Sequence, residues 1–183
     1  MAFSVIYNGE ADSRAFKDIY SGTLMEMFAR NPNICAGEAD IGNGMWKPNY
    51  QFMKTTYKDR FFDVGIQEAD LVGIAAGLSV TGKVPYVHTF APFMTRRTYD
   101  VIFISGAYAK LNIRMIGSDP GISAGYNGGT HMTFEDVGIM RNIPEMTIVD
   151  VTDCAMLRDL LLQTETAYGM FYFRFARGDC PVK

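Results

Sequence analysis

The segment from Asp63 to Ser79, Asp-Val-Gly-Ile-Gln-Glu-Ala-Asp-Leu-Val-Gly-Ile-Ala-Ala-Gly-Leu-Ser, leaves the chain few choices of fold. Ahead of it, Arg60-Phe61-Phe62-Asp63-Val64 reads as a short, mostly apolar strand, and Gly65 permits a sharp turn. From Ala69 to Val80 small and aliphatic residues predominate, which predicts a helix packed closely on a sheet with little room for long side chains. Glu68 is thereby set at the mouth of a buried strand-to-helix turn. An acid in that place has an ordinary role, facing the positive end of the helix dipole for a few tenths to about 1 kcal/mol. It has a functional role where the turn opens onto a ligand.

The alternation continues along the chain. Arg14 to Ala29 is helical in pattern, and strand-like runs follow at Ile34 to Gly37, Phe61 to Val64, Val84 to Val87, Ile113 to Gly117, Thr147 to Val149 and Phe171 to Phe175. Helical candidates lie between them at Glu68 to Val80, Pro92 to Ala109, Thr133 to Arg141 and Asp153 to Ala167. This predicts an α/β fold of three layers, a mostly parallel six-stranded sheet with helices on both faces. The 183 residues suit one domain, and 48% hydrophobic with 20% charged residues is ordinary for a globular protein.

A net charge of -3 offers no electrostatic footprint for nucleic acid or an anionic membrane. No apolar run approaches the roughly 20 residues of a spanning helix, and the start has neither a basic n-region nor an apolar h-region, so the cytoplasm is the default compartment. Cys35, Cys154 and Cys180 are far apart and odd in number, without metal-ligand spacing, and read as buried or idle thiols.

Two further segments bear on Glu68. His88-Thr89-Phe90-Ala91-Pro92-Phe93-Met94-Thr95-Arg96-Arg97 places two aromatics and two guanidiniums just after the strand Val84 to Val87. Ligands of open parallel sheets bind at the carboxyl ends of strands, so Glu68 and Phe93 are expected on adjacent loops of one crevice. A flat heteroaromatic ligand would stack on Phe93 and meet Glu68 at its edge. Gly125-Tyr126-Asn127-Gly128-Gly129-Thr130-His131 belongs to a long Gly-rich loop after the strand Ile113 to Gly117 and brings a histidine to the same end; loops of that length are more often functional than not.

In this order the three segments resemble the pyrimidine-binding domain of transketolases, thiamine-diphosphate enzymes that move two-carbon ketol units between sugars. The resemblance covers nearly the whole chain, including Asn31 to Asp40 as the first strand and its acidic loop. It implies that Glu68 is the carboxylate that hydrogen-bonds the pyrimidine ring nitrogen and drives the tautomer shift by which the cofactor activates itself. It implies that Phe93 stacks on the aminopyrimidine, that Phe90 walls the pocket, and that His131 faces the cofactor and the substrate hydroxyls. Core packing is the alternative for both phenylalanines. For His88 the alternatives are a reach to substrate and a satisfied structural histidine.

The pattern also departs from the family. Arg96 falls where transketolases usually carry a tyrosine near the pyrimidine amino group, and Asn127 where an aspartate usually reads the acceptor's 2-hydroxyl. Of four residues that usually hold a sugar phosphate, Arg14 and Arg177 match the two arginines, while the serine falls at Gly44 and the histidine at Ser118. A half-retained phosphate site implies a different or unusual phosphorylated sugar. The Gly-Asp-Gly and Asn-Asn elements that bind Mg²⁺ and the diphosphate do not occur, and the sequence ends at Lys183, before any third domain. The chain is therefore expected to be one domain, residues 1–183, active only beside a diphosphate-binding partner, in a homodimer or higher assembly. An exposed apolar face is expected around Phe90, Phe93 and Met94. Two alternatives stand beside this reading: part of a related 1-deoxyxylulose-5-phosphate synthase, and a non-catalytic module of the same fold.

Overall fold

The protein is described by a computed structural model over residues 13–178. Six strands, β1 (Ile34–Glu38), β2 (Phe61–Asp63), β3 (Val84–Phe90), β4 (Ile113–Ser118), β5 (Met146–Asp150) and β6 (Met170–Phe175), form one sheet in the order β2-β1-β3-β4-β6-β5. Every neighbouring pair is parallel. Each expected strand is present, and β3 runs three residues further than its apolar pattern indicates, so that His88, Thr89 and Phe90 are strand residues.

Adjacent residues on a strand point to opposite faces, and the core follows that rule. Tyr86, Ile116 and Phe173 join a cluster with Leu24, Met27, Trp46, Met53, Leu157 and Leu161, supplied by α1 (Phe16–Arg30), α3 (Tyr50–Thr56), α8 (Cys154–Gln163) and Trp46, which follows α2 (Gly42–Met45). Val87, Met115 and Tyr172 join Leu71, Val72, Ala75, Met94, Ile102 and Met140 on the other face, supplied by α4 (Glu68–Val80), α5 (Ala91–Arg96), α7 (Asp136–Met140) and Ile102. The result is the expected three-layer fold. Among the described residues no helix is long and apolar enough to cross a membrane.

Three local expectations are corrected. The single helix expected over Pro92 to Ala109 is α5, then α6 (Tyr99–Val101), then a π-helical stretch at Ile102–Tyr108. The break falls where the Thr98 hydroxyl turns back to the Met94 carbonyl, and such a bond competes with regular helix. Met94 is fully buried, so the apolar face foreseen around it does not exist there; Phe90 and Phe93 are half-buried. Cys154 is disulfide-bonded rather than an idle thiol, Cys180 lies outside the described residues, and Cys35 is buried, its thiol pushed up to about 11 chiefly by desolvation.

Close backbone approach sets the helices on the sheet. A Cβ on Gly117 would stand 2.9 Å from Ala91 Cα and 2.6 Å from the Tyr172 hydroxyl, so β4 admits α5 only because residue 117 is glycine.

Candidate functional site

The strand order turns at β1. From β1 the chain passes outward to β2, then crosses to β3 on the other side, which makes the carboxyl ends of β1 and β3 a topological switch point where open sheets bind ligands. The β2-to-α4 turn approaches this crevice from one side. Asp63 at the end of β2 accepts from the backbone N–H groups of Gly65 and Asp40, each at 3.0 Å, and from the Tyr50 hydroxyl. Burial alone would raise the Asp63 pKa, but these donors outweigh it and hold the carboxyl below the usual range. Gly65 takes φ 73°, in the left-handed region that glycine tolerates, and the chain enters α4 with Glu68 as its first residue. Glu68 is 5% exposed.

Glu68 lines a cavity of about 280 Å³ with Ala39, Ile66, Thr89, Phe90, Phe93, Arg97 and His131. The aromatic rings make a corner: His131 stands edge-on to Phe93 at 4.9 Å and to Phe90 at 5.3 Å between centroids. Thr130 Oγ1 contacts His131 Nδ1 at 2.9 Å, which leaves Nε2 as the nitrogen available to a ligand. The Thr89 hydroxyl is buried and has no protein partner, an arrangement that costs free energy unless something entering the cavity supplies a hydrogen bond.

Arg97 was not singled out from the sequence. Its Nη1 donates to Glu68 Oε1 at 2.8 Å, and its guanidinium lies 4.0 Å from the centroid of the Phe93 ring. One planar cation thus makes the two contacts, an edge to Glu68 and a face to Phe93, that a flat heteroaromatic ring would make. Spacing gave no signal, because residues three and four positions from Phe93 both lie near its helical face. Arg96 instead pairs with Glu135 at 2.8 Å, 42% exposed, and lines neither cavity.

A second cavity of about 420 Å³ adjoins the first, with Ile41 and Phe90 lining both. Lys17, Gly44, His88, Ser118, Asp119 and Arg177 supply the rest of its polar or open lining. His88 faces Glu38 across the β1–β3 register. Its Nδ1 meets Glu38 Oε2 at 2.7 Å and its Nε2 meets Ser118 Oγ at 3.0 Å, while Trp46 Nε1 donates to the other Glu38 oxygen. His88 is therefore both a partnered core histidine and part of the cavity wall. Arg177 donates to Asp119 from Nε at 3.2 Å and Nη2 at 2.8 Å.

Two residues expected at the sugar are not brought there. Asn127 is exposed in a 3₁₀ turn, and Arg14 is exposed ahead of α1; neither lines a cavity, and Lys17 takes the place on α1 that faces this one.

Fold and crevice define an open α/β domain with an aromatic-walled cavity at a switch point. Within that class the chain belongs to a known family: the model for the transketolase pyrimidine-binding domain matches residues 12–183. It is 43% identical over 161 residues to the 6-deoxy-6-sulfo-D-fructose transketolase subunit of Clostridium sp. (strain MSTE9), covering 88% of this chain and 49% of that one. It is 31% identical over 165 residues to a 1-deoxy-D-xylulose-5-phosphate synthase of Methylacidiphilum infernorum, covering 90% of this chain and 25% of the synthase. A solved structure described as a split gene transketolase, inactive beta4 tetramer, superposes with a TM-score of 0.78 at 31% identity, covering 91% of this chain and 53% of that one. The chain spans about half the length of the Clostridium subunit.

Proposed function

We propose that the chain supplies the pyrimidine half of a thiamine-diphosphate site, completed by a diphosphate- and Mg²⁺-binding partner domain, and that the assembly transfers two-carbon ketol units between sugar phosphates or closely related sugars. The observation that carries this reading is the convergence, in one small cavity, of buried Glu68, the Phe90, Phe93 and His131 corner, and the orphaned Thr89 hydroxyl. These residues fit an aminopyrimidine: a carboxylate for the ring edge, an aromatic face for stacking, and a hydroxyl without a partner. When bound, the cofactor supplies the carbon nucleophile and electron sink for ketol transfer.

The chain's own residues do the rest. Glu68, buried at the cavity wall, would hold a proton against the ring nitrogen. Phe93 orients the ring once Arg97 has turned aside. His131, half-buried at the cavity wall, moves a proton at a substrate hydroxyl through Nε2. The Clostridium relative is named for a ketose whose tail is a sulfonate, so members of this family differ in the anion at the far end of the sugar.

The reading is tested by mixing the chain with a diphosphate-binding partner, Mg²⁺ and thiamine diphosphate, and following ketol transfer from ketose donors to aldose acceptors. Activity that needs both chains and falls at least about a thousandfold in Glu68→Ala is expected. Turnover of pyruvate in place of ketoses would move the chain to the synthases, and silence with both would sink the enzymatic reading.

A further inference from the structure

Arg96 stands outside both cavities, yet its contacts end on the segment that carries His131. It is the last residue of α5, a helix seated firmly on β4 by the close approach at Gly117. Its Nη1 donates to Glu135 Oε1 at 2.8 Å, and its Nη2 reaches the Thr130 carbonyl at 3.4 Å. The second Glu135 oxygen accepts from the Phe134 N–H at 2.9 Å. One guanidinium is thus tied to the chain on both sides of His131, directly at Thr130 and through Glu135 at Phe134. Burial favours the neutral acid slightly, but backbone N–H groups and Arg96 outweigh it and hold the Glu135 carboxyl below its usual range.

The turn does not set its own shape. Gly125, Gly128 and Gly129 lie just ahead of His131, and Gly128 takes φ 75°, so the local backbone has a wide choice of path. The Thr130 hydroxyl on Nδ1 travels with the turn and cannot place it. The bridge between Gly121 and Thr133 ties the ends of the loop to each other rather than to α5. Phe90 and Phe93 offer His131 apolar contact, which holds it without fixing a direction. The bonds from Arg96 are directional, and they reach the turn from a helix. At 42% and 44% exposure the Arg96 and Glu135 pair adds little to global stability, so its effect is local.

We propose that Arg96 is a positioning residue: with Glu135 it sets the His131 imidazole against Phe90 and Phe93, so that Nε2 stays the nitrogen open to the cavity. Arg96 acts through the loop and touches neither cofactor nor sugar. The consequence for proton transfer rests on the reading of the chain as half of a ketol-transfer site; the placing of the imidazole does not.

The chain has two histidines, so its imidazole signals in nuclear magnetic resonance are those of His88 and His131. His131 lies beside two phenyl rings and feels their ring currents, while His88, held by Glu38 and Ser118, is the internal control. In Arg96→Gln the His131 signals should lose most of that shift and move toward those of a solvated histidine, with the His88 signals and the urea midpoint unchanged. Glu135→Ala should repeat the effect, and Arg96→Lys, which keeps the charge but not the fork, should fall between. In the assembly with a diphosphate-binding partner, Mg²⁺ and thiamine diphosphate, Arg96→Gln should lower kcat for ketol transfer about ten- to a hundredfold. The thiamine diphosphate concentration for half activation should stay within about twofold, since Glu68 and Phe93 keep their places. His131 signals that Arg96→Gln leaves in place overturn the proposal. So does an unchanged kcat, or a half-activation concentration that rises in step with the loss of kcat, which would put Arg96 on the cofactor. If the unsubstituted assembly transfers no ketol unit, the enzymatic reading falls, and the His131 signals alone decide whether Arg96 sets the imidazole.

Discussion

At the residue scale, the Glu68 carboxylate is buried at the first turn of α4, where the helix dipole and Arg97 both act on its charge. Glu68→Gln keeps the shape and one acceptor but cannot hold a transferable proton. Ketol transfer should fall by about two to four orders of magnitude with the chain's urea midpoint little changed. Arg97 has the opposite sign in prediction. Its guanidinium, half exposed, stacks on Phe93 where the ring would lie, so Arg97→Ala should speed association of thiamine diphosphate with the assembled protein, followed by stopped-flow fluorescence. The same change should lower the melting temperature of the chain without cofactor, because a buried carboxylate loses its partner. Slower association in Arg97→Ala would show that the arginine serves the bound ring instead. Glu68, Phe90, Phe93 and His131 were legible in the sequence because each sits in a short motif tied to a strand end. Arg97 was not: it differs from the highlighted Arg96 by one position, and only the three-dimensional direction of the side chain separates the two.

At the scale of elements, the turn from β2 to α4 depends on Asp63. Its carboxyl is held below the usual range, against the effect of burial, by Tyr50 and two backbone N–H groups. A carboxyl whose pKa is depressed on folding adds stability that is fully present above its unfolded value, about 3.9, and is lost as pH falls through the folded value. This contribution to acid unfolding, followed by circular dichroism, should therefore set in below about pH 4, and Asp63→Asn should flatten that slope. Tyr50→Phe removes one donor and should cost about 1 kcal/mol at neutral pH. The seat of α5 is equally exacting. Gly117→Ala should cost about 1–3 kcal/mol in urea unfolding, since the new methyl meets the backbone of Ala91 as well as the Tyr172 hydroxyl. All six strands were legible from their apolar runs. The end of β3 was hidden because His88 and Thr89 are polar inside a sheet; Glu38, paired with His88 across the register, explains why the strand tolerates them. The short helices α2 and α3 were missed because four and seven residues give too little periodicity to read.

At the scale of the whole molecule, the carboxyl edge of the sheet leaves apolar side chains in water. Ile66 and Ile122 are each 70% exposed and Phe134 77%, all on the turn or long loop that border the cavities. Scattered exposed apolar residues are ordinary, but these lie at the edge where, on the proposed reading, a partner completes the site. Replacing Ile122 and Phe134 by serine should leave the urea midpoint of the chain within its error and weaken association with a diphosphate-binding partner by at least about 1 kcal/mol, read by analytical ultracentrifugation. The parallel sheet has one more effect. Every strand ends on the same edge, so the residues that line the two cavities come from loops far apart in sequence, after β1, β2, β3, β4 and β6. No short stretch of this sequence carries the crevice alone; its walls meet only once the whole sheet has closed.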